Sequence, residues 1–142
     1  MAKLHVELVA AEGRVLSTEA DFVLAPGVDG DLGVLPHHIP LLTPLRLGEV
    51  TVTNDGNDDH YFVAGGFLEV LPDRVVILAD AAERAADIDT ARAEAARRRA
   101  EDALAGNAAD AHAAAALERS LFRLQVAEVR QRQPRRPPSR PQ

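Results

Sequence analysis

The sequence predicts a β domain followed by an α-helical hairpin: an N-terminal β-sandwich, or flattened barrel, and then two antiparallel helices. Three observations carry this. Short period-two apolar runs, separated by glycine, proline and acidic turns, fill the first 86 residues. At Asp87 that pattern stops and about 45 alanine- and arginine-rich residues follow without a proline. Finally, Pro134, Pro137, Pro138 and Pro141 alternate with Arg135, Arg136 and Arg140 in a basic ending. Residues 1–86 therefore read as the sheet, 87–132 as the hairpin and 133–142 as a disordered tail.

In the first region Leu4, Val6 and Leu8 alternate with Lys3, His5 and Glu7, as a strand with one buried face requires. Gly13 breaks it. Val15-Leu16 and Phe22-Val23-Leu24 form two short strands before the Pro26-Gly27 turn. Leu47–Thr53 alternates again, then Asn54–Asp59 forms a loop. His60–Ala64, Phe67–Leu71 and Arg74–Ala79 complete the set, the last two joined by a Pro72-Asp73 hairpin turn. Only 4% of the residues are aromatic, so Leu, Val and Ile must fill the core, with Phe22, Phe62 and Phe67 as expected anchors.

The first helix is expected from Ile88 to about Ala105, with Asp87 as its N-cap. Gly106-Asn107 stops it, and Asp110 caps a second helix running to about Gln131. A link this short imposes an antiparallel pair. Helix 1 offers chiefly alanine for packing: Ala91, Ala95, Ala96, Ala100 and Ala103. Helix 2 carries Leu117, Leu121 and Leu124 on one stripe and Phe122, Val126 and Val129 on another. An alanine methyl contributes about 0.8 kcal/mol on burial, a full leucine roughly 1.5 to 3. The hairpin is thus strongly helical but weakly docked, suiting a segment with two positions.

Composition narrows the function. Residues 1–86 hold 14 acids and 5 bases, residues 87–132 hold 8 of each, and the tail has 3 bases and no acid. An acidic body repels nucleic-acid phosphates, so no nucleic-acid partner is expected. The absence of cysteine excludes disulfides and thiolate chemistry. No signal-peptide pattern or membrane span is expected. Lys3 is the only lysine, so no GxxxxGK[ST] phosphate loop exists, and neither a Ser/His/Asp nor a paired-carboxylate arrangement stands out. His37-His38, with His60 and Asp58 or Asp59 at a distance, is not read as a metal site, because adjacent residues of an extended segment point to opposite sides.

Two constellations remain. Arg92 and Arg99 share a face of helix 1 with Asp89, and Arg119 and Arg123 share a face of helix 2. A closed hairpin sets Arg92 and Arg123 at nearly the same height. Four guanidiniums in one region suit a polyphosphate, with Asp89 and Glu83 able to accept from an exocyclic amine, which reads as ATP binding without catalysis. The same spacing also describes a solvated helix face paired with Glu94, Glu101 or Asp102. The segment Gly30–Leu45, with Pro36, Pro40 and Pro44, cannot be one regular element. It presents Leu35, Ile39 and the histidine pair as a protein-contact loop.

Gly30-x-x-Gly33-Val34-Leu35-Pro36-x-His38-x-Pro40-Leu41-Leu42-Thr43, Gly65-Gly66-Phe67-Leu68-Glu69-Val70, Val75–Asp80 and Ile88-Asp89-x-x-Arg92-Ala93 together resemble the epsilon subunits of F-type ATP synthases, over residues 3 to about 131. The resemblance implies a non-catalytic rotor subunit bound to the gamma subunit and the membrane c-ring. Such a subunit couples proton-driven rotation to ATP synthesis from the cytoplasmic face of the bacterial plasma membrane, attached only through the complex. It implies that the loop with Leu35, His38 and Ile39 faces the c-ring, and that the arm can extend toward the alpha and beta subunits and inhibit hydrolysis. In members that bind ATP in the folded arm, the contacts fall on Glu83, Ile88, Asp89, Arg92, Arg99, Arg119 and Arg123. No cofactor is required. The proline and arginine tail departs from the family's usual ending and receives no role from it.

Overall fold

A computed structural model describes residues 2–132, with side chains to 128; the expected tail and the side chain of Val129 lie outside this range. Eight strands precede the helices: β1 Leu4–Ala10, β2 Gly13–Ala20, β3 Phe22–Gly27, β4 Gly30–Val34, β5 Leu41–Asn54, β6 Asn57–Leu71, β7 Arg74–Ala79 and β8 Ala82–Arg84. They hydrogen-bond in the order β2-β1-β7-β6-β5-β3-β4, with β8 added alongside β6. β1 and β7 run parallel and the other pairs antiparallel. The path folds on itself, since β2 also lies against β5 and β8. This is the expected sandwich.

The long β5–β6 hairpin crosses both layers and turns its corner at Gly65-Gly66, both with positive φ (82° and 122°). At Gly66 a side chain is sterically impossible, because a Cβ would lie 2.0 Å from the Leu78 carbonyl oxygen. The fold brings the far turn of the hairpin back beside the start of β1. There the Lys3 ammonium meets Asp21 at 2.6 Å, Asn54 at 2.7 Å and Asp55 at 2.8 Å. The Asp21 hydrogen bond, then that of Asp55, holds the Lys3 pKa up. Lys3, then the Asp55 backbone N–H, holds the Asp21 carboxyl below the usual range.

The sandwich interior contains Leu4, Val6, Leu8, Val50, Val63, Leu68, Val70, Val75 and Ile77, with Tyr61 as its largest fully buried side chain. The expected phenylalanine anchors need correction. Phe22 is only half-buried, Phe62 belongs to a second cluster, and Phe67 is 53% exposed. Phe67 precedes the buried Leu68, so strand parity sends it outward.

The 30–45 segment is likewise more regular than expected. It comprises β4, a turn around Leu35–Pro40, and the first residues of β5. Gly30 and Gly33 obscure the strand pattern, while Pro44 sits within β5 opposite Phe67.

A 3₁₀ turn at Ala85–Asp87 leads to α1 (Thr90–Gly106) and α2 (Ala111–Arg132). Asp89, rather than Asp87, caps α1, accepting from the Arg92 backbone N–H at 3.0 Å. The chain must stay extended at Ile88 to bury that side chain, which delays the helix by two residues. Asp110 caps α2 as expected, accepting from the Ala113 N–H at 3.0 Å. Apart from Val126, the fully buried residues of the two helices are small, Ala93 and Ala100 on α1 and Ala113, Ser120 and Ala127 on α2, with Leu104, Leu117 and Leu124 half-buried. Each set of small residues repeats every seven residues, which lets the helices pack closely along one seam.

Candidate functional site

The seam between α2 and the sheet is built from the second apolar cluster, Phe62, Ala85, Ile88, Val126 and Ala127, flanked by Leu47, Ala64 and Phe122. Of the two stripes on α2, the one with Phe122 and Val126 is thus seated on β5 and β6. Leu121, on the other, is 48% exposed. Ile88, one of the expected nucleotide contacts, is part of this apolar seat.

Beside the seat, Arg123 of α2 reaches Glu83 of β8. Its Nη2 donates to Oε2 at 3.0 Å and lies 2.8 Å from Oε1 as an ion pair. The Arg123 side chain is 19% exposed, and its Nε is buried with no acceptor among the described residues. Two pleats along β6, an open cleft of about 540 Å³ lies between α2 and the sheet, lined by Leu47, Ala64, Gly65, Asp80, Ala81, Ala115, Glu118 and Arg119. Arg119 is thus one helical turn from Arg123 on the same seam.

The remaining expected nucleotide contacts sit apart. Arg92 and Arg99 are exposed on α1, and neither they nor Arg119 bond or pair with another described side chain. The Asp89 carboxylate already serves as the α1 cap. Arg97, by contrast, pairs with Glu94 at 2.6 Å and Glu101 at 2.9 Å, and these hold its pKa up. The structure therefore joins Glu83 to Arg123, gives Arg119 to the cleft, and leaves Arg92 and Arg99 on a solvated face.

In the loop expected to make protein contacts, Leu35 is 60% and Ile39 75% exposed. His37 has φ 68° and donates its backbone N–H to the Pro72 carbonyl at 2.7 Å, fixing the loop to the β6–β7 turn. His38 Nδ1 lies 2.7 Å from the Ile39 carbonyl and donates to it. His60 is remote from this pair; its Nδ1 meets Glu49 at 2.5 Å across β5 and β6. Sequence reading missed a second apolar surface, in which Pro44, Phe67 and Leu78 stand in register across β5, β6 and β7 with Leu42 beside them. Strand parity relative to buried Leu68 and Ile77 was the signal for it.

Among the described residues no helix is long and apolar enough to cross a membrane. The family description "ATP synthase, Delta/Epsilon chain, beta-sandwich domain" matches residues 3–85, and its "long alpha-helix domain" matches 86–128. The chain is 48% identical over 138 residues to an ATP synthase epsilon chain of Dehalococcoides mccartyi, covering 94% of this chain and 99% of that one. It is 50% identical to that of Herpetosiphon aurantiacus over 130 residues, covering 89% and 96%. A chain in the mitochondrial ATP synthase of Euglena gracilis, solved as OSCP/F1/c-ring, shares the fold with TM-score 0.67 and 22% identity, over 92% of this chain and 81% of that one. With both domain descriptions matched in order and near-half identity over almost the whole length, this chain belongs to the ATP synthase delta/epsilon chain family, as an epsilon subunit.

Proposed function

We propose that the chain is a non-catalytic rotor subunit of the central stalk, coupling proton-driven rotation to ATP synthesis and restraining ATP hydrolysis through its helical arm. In this reading it sits at the cytoplasmic face of the bacterial plasma membrane, held there by its partners. The loop with Leu35, His38 and Ile39 meets the c-ring, and the open row of Phe67, Leu78 and Leu42 suits the gamma subunit. When the arm extends it reaches the alpha and beta subunits.

The observation that carries the regulatory part is the seat of α2. Its apolar share is chiefly Phe122, Val126 and Ala127 against Phe62, Ile88 and Leu47, a small area beside the sandwich core. A ligand that bridges the arm can decide such a balance: at 100 times its dissociation constant it adds about 2.7 kcal/mol to the bound form. We assign that ligand to ATP, with phosphates drawn by Arg92, Arg99, Arg119 and Arg123 and the remaining contacts from Glu83, Ile88 and Asp89.

Calorimetric titration of the full chain with ATP tests this. Saturable heat that disappears in an Arg92→Ala, Arg123→Ala double variant supports it, and no heat from the unsubstituted chain rejects the sensor. A second reading, a coupling subunit whose arm stays fixed without any nucleotide role, is favoured by one observation: Arg123 and Glu83 of the chain itself bridge the arm and the sheet.

A further inference from the structure

We infer that Glu83 is an internal counter-anion. It occupies Arg123, and so both holds the arm down and withholds that guanidinium from phosphate. The competition half of this inference rests on the ATP reading above, with Glu83 moved from that ligand's contacts to a competitor of its phosphates; the holding half does not.

The geometry separates this role from that of a base acceptor. Glu83 lies at the middle of β8, directly opposite Phe62 in the ladder, so its backbone is fixed by the sheet. Arg123 lies on α2 between Phe122 and the buried Val126, so its backbone is fixed by the arm. The bond between them spans 40 residues of sequence and crosses the joint that has to open.

Both carboxylate oxygens face one Nη2, an arrangement spent on a cation rather than left for an exocyclic amine. The pair is partly exposed, Glu83 at 36% and Arg123 at 19%, so its Coulombic share is modest. The Arg123 Nε is buried without an acceptor among the described residues, a cost of the seated pose that the bond to Glu83 offsets, so removing the carboxylate charge leaves the seated guanidinium still less satisfied. An incoming phosphate has to share Arg123 with a carboxylate of the same sign. Glu83 and a polyphosphate therefore bind Arg123 at each other's expense.

The chain has no cysteine, so Ser17→Cys on β2 and Ala109→Cys in the interhelical turn, both exposed positions, accept a specific fluorescence pair. Arm distance and affinity for ATP and for inorganic tripolyphosphate are measured in this background with Glu83, with Glu83→Gln, and with Glu83→Asp. The aspartate keeps the charge and guards against a folding artefact in the glutamine variant.

The expected result is a longer ligand-free distance in Glu83→Gln, restored toward the parent in Glu83→Asp, and tripolyphosphate affinity raised at least about tenfold by the glutamine. An unchanged ligand-free distance in Glu83→Gln overturns the holding role. A tripolyphosphate affinity that stays the same or falls, while ATP affinity drops, overturns the competition and makes Glu83 a base acceptor. If the distance lengthens but no variant binds ATP or tripolyphosphate, the ATP reading fails and the latch stands.

Discussion

The sandwich and the arm are held by different amounts and kinds of contact. The sandwich buries Leu4, Leu8, Tyr61, Leu68 and Ile77 with none of their surface exposed. It also ties its strands by ladders, including thirteen matched positions between β5 and β6. The arm's two helices fully bury alanines, one serine and Val126, and reach the sheet through one short apolar seat and the Arg123–Glu83 pair. Leucine-sized burial fixes a shape, whereas methyl-sized burial leaves a position negotiable. The difference teaches that high helicity and firm docking are separate properties, each set by its own residues.

The largest expected effect lies in the sandwich. Leu68→Ala removes a fully buried side chain between two ladders and should cost about 2 to 5 kcal/mol, read as a lower urea midpoint. A loss under 1 kcal/mol would mean that the sandwich is no firmer than the arm. Next, Val126→Ala strips two methyl groups from the arm's seat, costing about 1.5 kcal/mol of docking. Hydrogen exchange should quicken in α2 while β5 and β6 keep their protection; faster exchange throughout would show that arm and sheet open as one unit.

Asp89→Ala removes the cap on α1 and should cost about 1 kcal/mol of helix stability, seen as lost far-ultraviolet ellipticity without a shift in the urea midpoint of the sandwich. Lys3→Ala is expected to act mainly through pH. The depressed Asp21 pKa gives stability that is present at neutral pH and lost as the pH falls below roughly 4, and the raised Lys3 pKa gives stability lost only in strong alkali. Without Lys3 the acid limb of a stability profile should flatten, and an unaltered limb would count against the clasp. Arg98→Ala, on the exposed face of α1, should change stability by under about 0.5 kcal/mol.

Sequence reading captured the sandwich where alternation is clean, as in Leu4–Ala10 and Arg74–Ala79, and the hairpin where Asp110 and Gly106-Asn107 mark its turn. It failed where a local signal and a tertiary demand conflict. Gly30, Gly33 and the prolines hid β4 and the start of β5. In β3, Pro26 falls where the register with β5 shifts between Leu24 and Gly27, so the lost N–H does not break a regular ladder. Ile88 moved the helix cap because burial outranks propensity.

For the candidate site, face-sharing along each helix was legible, but the face turned toward the sheet was not. That choice is made by which stripe Phe62 and Ile88 accept, a long-range matter. The Arg123–Glu83 pair follows from the same seating and joins residues 40 apart, beyond any helical or strand period. The Glu49–His60 pair depended on register, since Thr51 stands opposite His60 and Glu49 opposite Phe62.

The corner at Gly65-Gly66 has a mechanical consequence. Because β5 and β6 are each continuous from the end beside the Leu35–Pro40 turn to the seat of α2, a load applied at that turn would pass along one two-stranded ribbon. A load along that ribbon would strain its cross-strand hydrogen bonds together in shear, and the two glycines, held at positive φ, mark where the ribbon bends.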